Sequence, residues 1–236
     1  MEGLARYLSA LGLRVSGSDR EESLVLEQLR RDRIDVRRGH SAANVADAQL
    51  IVYSAAVPDD NVELACARGR EIELISRARL LGELTRAKRC VAVAGTHGKT
   101  TTSAMCAHVL KKSGRAVSHY VGAEIPVLGA NAHWDEESDY LVAEGDESDG
   151  TLSLYRPSHA IVLNIEEEHL DFYDSIDEIL EVFRKLLEQT SRKVIYCVES
   201  SAARELCSER SDAVSYGWDD ADFSVSDVVE GRGVIS

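Results

Sequence analysis

The chain has 236 residues, 44% of them hydrophobic, enough to bury the core of one large domain or two small ones, and it is not a disordered polymer. Its 41 acidic residues against 27 basic ones give a net charge of −14, which argues against nucleic acid or an anionic membrane surface as the main partner, so any phosphate must be bound locally. No apolar run reaches the roughly 18 residues of a membrane span, and the five scattered cysteines (Cys66, Cys90, Cys106, Cys197, Cys207) form no C-x-x-C pair, as expected of reduced, mostly buried thiols in a cytoplasmic protein.

In chain order, hydrophobic periodicity predicts a helix over 2–11, a short strand over 13–19, a helix over 22–32, the loop segment GHSAANV, a strand over 48–57 and a helix over 61–69. This rhythm is that of a parallel α/β fold, and such a fold normally opens with a strand and a glycine-rich turn; here Met1 already sits at the helix, so the first half-unit is expected to lie outside the sequence. The pattern restarts after the charged stretch 86–89, where a domain boundary is expected. Beyond it come strands over 90–94, 139–146, 159–165, 193–199 and 213–218, and helices over 100–113, 175–189 and 201–209. The helix over 175–189 places Ile176, Ile179, Leu180, Phe183, Leu186 and Leu187 on one stripe, which is packing. The alternation over 221–236, around Gly231 and Gly233, predicts a hairpin.

Three strand ends could carry chemistry. The stretch VAVAGTHGKTTT resembles a phosphate loop but lacks the first glycine of G-x-x-x-x-G-K-[ST], since Val93 stands in its place. Gly95 and Gly98 allow a tight turn that aims backbone N–H groups and a helix N-terminus at one anion; Lys99 adds a full charge and Thr100 a hydroxyl for a metal. An ordinary strand-to-helix turn is the plainer alternative, and a strand before with G-K-T-T at the helix start favours an ATP or GTP phosphate site. The strand DYLVAEGDESDG runs into Glu144, Asp146, Glu147 and Asp149, carboxylates able to hold Mg²⁺ or simply a solvated acidic loop. The third end, AIVLNIEEEHLDFY, carries Asn164, Glu166, Glu167, Glu168, His169 and Asp171; from residue chemistry alone His169 is equally a structural residue or a ligand.

Together and in this order, these stretches resemble the Mur ligases of peptidoglycan synthesis, and within them the alanine-adding branch. GTHGKTTT is similar to their short loop G-[TS]-x-G-K-[TS], AEGDESDG to E-A-D-E-S-D-G with Gly145 for alanine, and NIEEEHLDFY to N-I-E-x-D-H-x-D-x-Y with Glu168 for aspartate. The resemblance implies an incomplete Rossmann-like UDP-sugar domain over 1–87, lacking its first strand and glycine-rich turn, followed by an incomplete P-loop ATPase domain over 88–236. It implies ATP and Mg²⁺ as cofactors, with Gly95, Thr96, His97, Gly98, Lys99, Thr100 and Thr101 binding ATP. Thr100, Glu144 and His169 would be the metal residues, Lys99, Glu144 and His169 the catalytic ones, and Ser18, Asp19, His40 and Ser54 those of the UDP-sugar end; Glu168 is given no role.

The implied substrates are UDP-N-acetylmuramate and L-alanine, joined through an acyl phosphate by a monomer or weak homodimer that binds no nucleic acid and inserts in no membrane. The 236 residues alone are expected not to ligate. A murein tripeptide ligase shares the loop, but Ser148 fits the alanine-adding pattern better; a nucleotide-binding module without catalysis is the other alternative.

Overall fold

A computed structural model of the chain describes residues 1–45, 47–147, 150–168, 172–226, 230–231 and 234–235. Its first part holds α1 (Glu2–Ala10), β1 (Ser16–Asp19), α2 (Leu24–Arg31), β2 (Asp35–Arg38), β3 (Leu50–Tyr53), α3 (Val62–Gly69), β4 (Glu73–Ser76) and α4 (Arg77–Leu84). Then come β5 (Arg89–Ala94), α5 (Lys99–Lys112), β6 (Val117–Tyr120), β7 (Ala132–His133), β8 (Tyr140–Glu144) and β9 (His159–Val162). The chain continues with α6 (Ile176–Gln189), β10 (Val194–Cys197), α7 (Ser201–Cys207), β11 (Ala213–Gly217), β12 (Phe223–Ser224), β13 (Glu230–Gly231) and β14 (Val234–Ile235).

Eight strands make one sheet in the order β12-β11-β10-β9-β5-β8-β6-β7, and every neighbouring pair is parallel except β6 with β7. Strand residues alternate between its two faces. Cys90, Ala92 and Ala94 of β5, Leu141 and Ala143 of β8, and Ala160 and Val162 of β9 pack with α1, α4, α6 and α7. Val93 and Val142 point the other way, beneath Ala104 and Ala107 of α5. Alanines at the centre of the sheet let the helices approach closely. On α6 the buried stripe is Ile179, Val182, Phe183, Leu186 and Leu187; of the predicted set Ile176 and Leu180 are only half-buried at its margin and Val182 is added, and each buried side chain contributes about 1.5–3 kcal/mol by leaving water.

The first part is built differently. β1 pairs in parallel with β2, and β3 with β4, as two separate two-stranded sheets. The sequence patterns gave no strand at β2, β4, β6 or β7, because segments as short as DVRR or ELIS carry too few residues for alternation to register. The hairpin expected over 221–236 divides in two. The Asp222 carboxylate accepts hydrogen bonds from Ser215 N (2.8 Å) and Oγ (2.9 Å), which ties this segment to β11 and lets β12 extend the large sheet in parallel; further along the segment β13 and β14 pair antiparallel. All five cysteines are free thiols, but only Cys90 and Cys207 are buried, the other three being half-buried. Burial pushes the Cys207 thiol up to about 12. Among the described residues no helix is long and apolar enough to cross a membrane.

Candidate functional site

The chain leaves β5 for α5 and β6, returns to β8 on one side of β5, then crosses to β9 on the other. The carboxyl ends of β5, β8 and β9 therefore meet where the strand order reverses, the place at which open α/β sheets take ligands. The three motifs of the sequence analysis sit on those three ends.

The loop after β5 needs its glycines. Gly95 has φ 148°, and a Cβ there would stand 2.9 Å from Leu163 Cβ and 3.1 Å from Asn164 N. Gly98, at φ 80°, is the N-cap of α5 and supplies no side-chain cap, whereas Ser23, Asn61, Ser76 and Ser200 cap α2, α3, α4 and α7 through their side chains. The first-turn N–H groups of α5 thus keep the free donors and positive dipole end that bind anions. The segment after β9 braces the loop. Asn164 Oδ1 accepts from His97 N (2.7 Å), its Nδ2 donates to His97 O (3.2 Å), its carbonyl accepts from Thr96 N (3.0 Å), and Glu166 N donates to Thr96 Oγ1 (2.9 Å). The exposed His97 ring lies 3.4 Å from Glu168 and 3.7 Å from Glu166, and Thr101 is exposed on the first turn.

Two carboxylates reach the loop from the end of β8. Lys99 Nζ is 2.7 Å from Glu147 Oε1 and donates to Thr96 O (3.1 Å). Glu147 is 2% exposed; burial pushes its carboxyl above the ordinary value, with the Lys99 charge opposing and Asp146 adding to the rise. Thr100 Oγ1 donates to Glu144 Oε1 (2.8 Å), while Glu144 Oε2 accepts from Gly122 N (2.6 Å). A Cβ at Gly122 would meet Glu144 Oε1 at 2.7 Å, so a larger residue there would push the Glu144 carboxylate aside. The Thr100 and Glu144 oxygens are hard donors of the kind Mg²⁺ prefers, so this pair fits the cation. Among the described residues no group of three or more His, Cys, Asp and Glu is arranged for a metal, and His169, the third expected ligand, lies outside the described residues together with Ser148, Asp149 and Asp171.

At the other end, the structure brings together two of the four residues expected for the sugar nucleotide. Ser18 and His40 meet at Glu63: Ser18 Oγ donates to Glu63 Oε2 (2.6 Å) and lies 3.0 Å from His40 Nδ1. Glu63 Oε1 accepts from Asn44 Nδ2 (2.7 Å) and Ser41 N (3.1 Å). Burial alone would raise the Glu63 carboxyl, but these hydrogen bonds and the nearby His40 outweigh it and hold the group below the ordinary value. Asp19 and Ser54 fall outside this cluster; Asp19 Oδ1 accepts from Glu21 N and Ser54 Oγ from Ala56 N, each capping its own turn. Sequence reasoning missed Glu63, Gly122 and the bracing role of Asn164. For Glu63 the one signal available was its place just after the capping Asn61.

The sequence pattern of the Mur ligase middle domain matches residues 93–233, and that of the Mur ligase family, catalytic domain, matches residues 1–89. The UDP-N-acetylmuramate--L-alanine ligase of Carboxydothermus hydrogenoformans is 44% identical over 209 residues, 87% of this chain and 45% of that enzyme. The enzyme of the same name from Geobacter sp. (strain M21) is 40% identical over 232 residues, 97% of this chain and 50% of the relative. Among solved structures, the UDP-N-acetylmuramate-alanine ligase MurC from Thermotoga maritima aligns with a TM-score of 0.83 at 28% identity, covering 97% of this chain and 52% of that one. The UDP-N-acetylmuramate:L-alanyl-gamma-D-glutamyl-meso-diaminopimelate ligase from Neisseria meningitides gives 0.83 at 25% identity, covering 92% and 74%. The chain belongs to the Mur ligase family. It spans about half the length of the curated relatives it matches.

Proposed function

We propose that this chain is the nucleotide-binding part of an ATP-dependent ligase that joins L-alanine to the lactyl carboxylate of UDP-N-acetylmuramate, in the cytoplasm, with residues 1–87 serving the sugar nucleotide and 88–236 ATP. The observation that carries the reading is the Thr100–Glu144 pair on a braced, glycine-turned loop at the strand-order reversal. In this reading Gly95, Thr96, His97, Gly98 and Thr101 shape the loop, its N–H groups hold phosphate oxygens, and Lys99 exchanges the Glu147 carboxylate for the charge on the transferring phosphoryl group. Thr100 and Glu144 would hold Mg²⁺, with His169 assigned beside them on the family pattern; the cation supplies a Lewis-acid charge that offsets the phosphates.

The chemistry balances as two displacements. A lactyl carboxylate oxygen attacks the γ-phosphorus and ADP leaves; the alanine amine then attacks the acyl carbonyl, loses a proton and expels inorganic phosphate. In a chain extended to the length of its relatives, phosphate release should require both UDP-N-acetylmuramate and L-alanine and should vanish in Lys99→Ala. Release with a tripeptide but not with alanine would move the reading to the murein tripeptide ligase. The 236 residues alone should bind Mg·ATP without ligating, and alanine-dependent ADP formation by them would refute that part.

A further inference from the structure

Glu63 decides which nitrogen of His40 carries a proton. An ionised carboxylate only accepts hydrogen bonds, so the Ser18 hydroxyl, 2.6 Å from Glu63 Oε2, must spend its single hydrogen there. With that hydrogen committed, Ser18 Oγ can only accept from His40 Nδ1 at 3.0 Å, and Nδ1 has to be the donor. Glu63 Oε2 itself lies 3.4 Å from Nδ1, which favours the same proton position. The second oxygen is fastened by Asn44 Nδ2 and Ser41 N, so the carboxylate cannot rotate away without losing two bonds. In the neutral ring Nε2 is then a bare acceptor, and it meets no hydrogen-bond partner among the described residues, on a side chain 24% exposed.

From this geometry we propose that Glu63 is a positioning residue that holds His40 in its Nδ1–H form, so that Nε2 accepts a hydrogen bond from an N–H or O–H donor on the uridine end of the sugar nucleotide. The inference rests on the sugar-nucleotide reading of this part of the chain. Uncapped histidine favours the opposite tautomer in water, so the arrangement has a spectroscopic signature that a merely structural glutamate would not produce.

The test is the ¹⁵N spectrum of the His40 ring, in a chain extended to the length of its relatives, at about pH 8.5, where imidazole is neutral, together with UDP binding by calorimetry. Wild type should show protonated Nδ1 and unprotonated Nε2. Glu63→Gln should shift His40 toward the Nε2–H form and weaken UDP binding at least about 10-fold, the scale on which groups that orient a ligand act, while the backbone amide spectrum of residues 1–87 keeps its dispersion and reports an intact fold. Nε2–H in a wild type that binds UDP would overturn the positioning role alone. Nδ1–H in a wild type that does not bind UDP would overturn the ligand assignment and the sugar-nucleotide reading with it. A tautomer that moves in Glu63→Gln with no change in UDP affinity would overturn the link between the two. The wild-type spectrum needs no variant, so a misfolded Glu63→Gln leaves the first part of the test decisive.

Discussion

The strands of the first part have four residues each and those of the large sheet two to six, yet their surroundings differ far more than their lengths. β5, β8 and β9 lie inside eight strands with helices on both faces, and Ala92, Val93, Val142, Ala160 and Val162 are fully buried. β3 reads LIVY, as apolar as any of them, but none of its residues is buried; it sits in a two-strand sheet, as do β1 and β2. The compact apolar cluster beside β2 amounts to Leu26, Leu29, Ile34 and Val36, while α1 at the start of the chain packs on the large sheet, with Tyr7 edge-on to Trp134 at 4.8 Å between ring centres. Apolar sequence states what a strand would bury; its neighbours determine what it does bury, and parallel strands ordinarily bury both faces.

Breaking the large core should have the greatest effect. Phe183→Ala should cost about 3–5 kcal/mol in urea unfolding, against about 2 kcal/mol for Leu26→Ala in the small cluster, because a cavity in a fully enclosed site cannot collapse. Equal losses would remove the distinction between the two regions. Next in size, Lys99→Ala should weaken ATP at least about 30-fold, the worth of a charge-assisted contact near 2 kcal/mol, measured with a fluorescent analogue. Gly122→Ala should displace Glu144 and raise the Mg²⁺ concentration needed for ATP binding about 10-fold, with nucleotide affinity recovered at saturating Mg²⁺; an unchanged Mg²⁺ requirement would show that the Gly122 contact is incidental.

The smallest effect, and the one that contrasts the two regions most directly, is in pH. Glu63 titrates below its ordinary 4.5 in the folded chain, so its contribution is fully present above 4.5 and is lost as pH falls through the lower folded value. Glu147 titrates above 4.5, so its contribution is present below 4.5 and is lost as pH rises through the raised folded value. Glu63→Gln should therefore flatten the acid limb of stability below 4.5, and Glu147→Gln should remove a decline above it. Stability curves at a series of pH values, each by urea titration, would check both signs.

Much of this was legible in the sequence where a physical signal is local. α6 announces itself by fourteen residues of helical periodicity, and the loop of 95–100 by the spacing of Gly95 and Gly98, both at positive φ in the structure. What escaped is held by long-range pairing. Lys99 and Glu147 are 48 positions apart, Ser18 and Glu63 are 45 apart, and no window on the sequence joins them. Nothing local marks the contact of Gly122 with a glutamate 22 positions later. Gly145, a departure from the family's alanine, also becomes intelligible: the buried Leu152 side chain would stand 2.4 Å from a Cβ at that position.

The four hydrogen bonds that strap Thr96 and His97 to Asn164 and Glu166 bear on kinetics as well as geometry. Ordering a free loop residue costs about 1–2 kcal/mol of conformational entropy, and here that cost is met during folding, before any ligand arrives. An anion entering the loop then meets a backbone already in place, and the one rearrangement left is the release of Lys99 from Glu147, so little holds capture below the diffusional encounter rate. The lifetime of the complex, set by how firmly Lys99 and the helix N-terminus grip the ligand, becomes the quantity through which affinity is tuned.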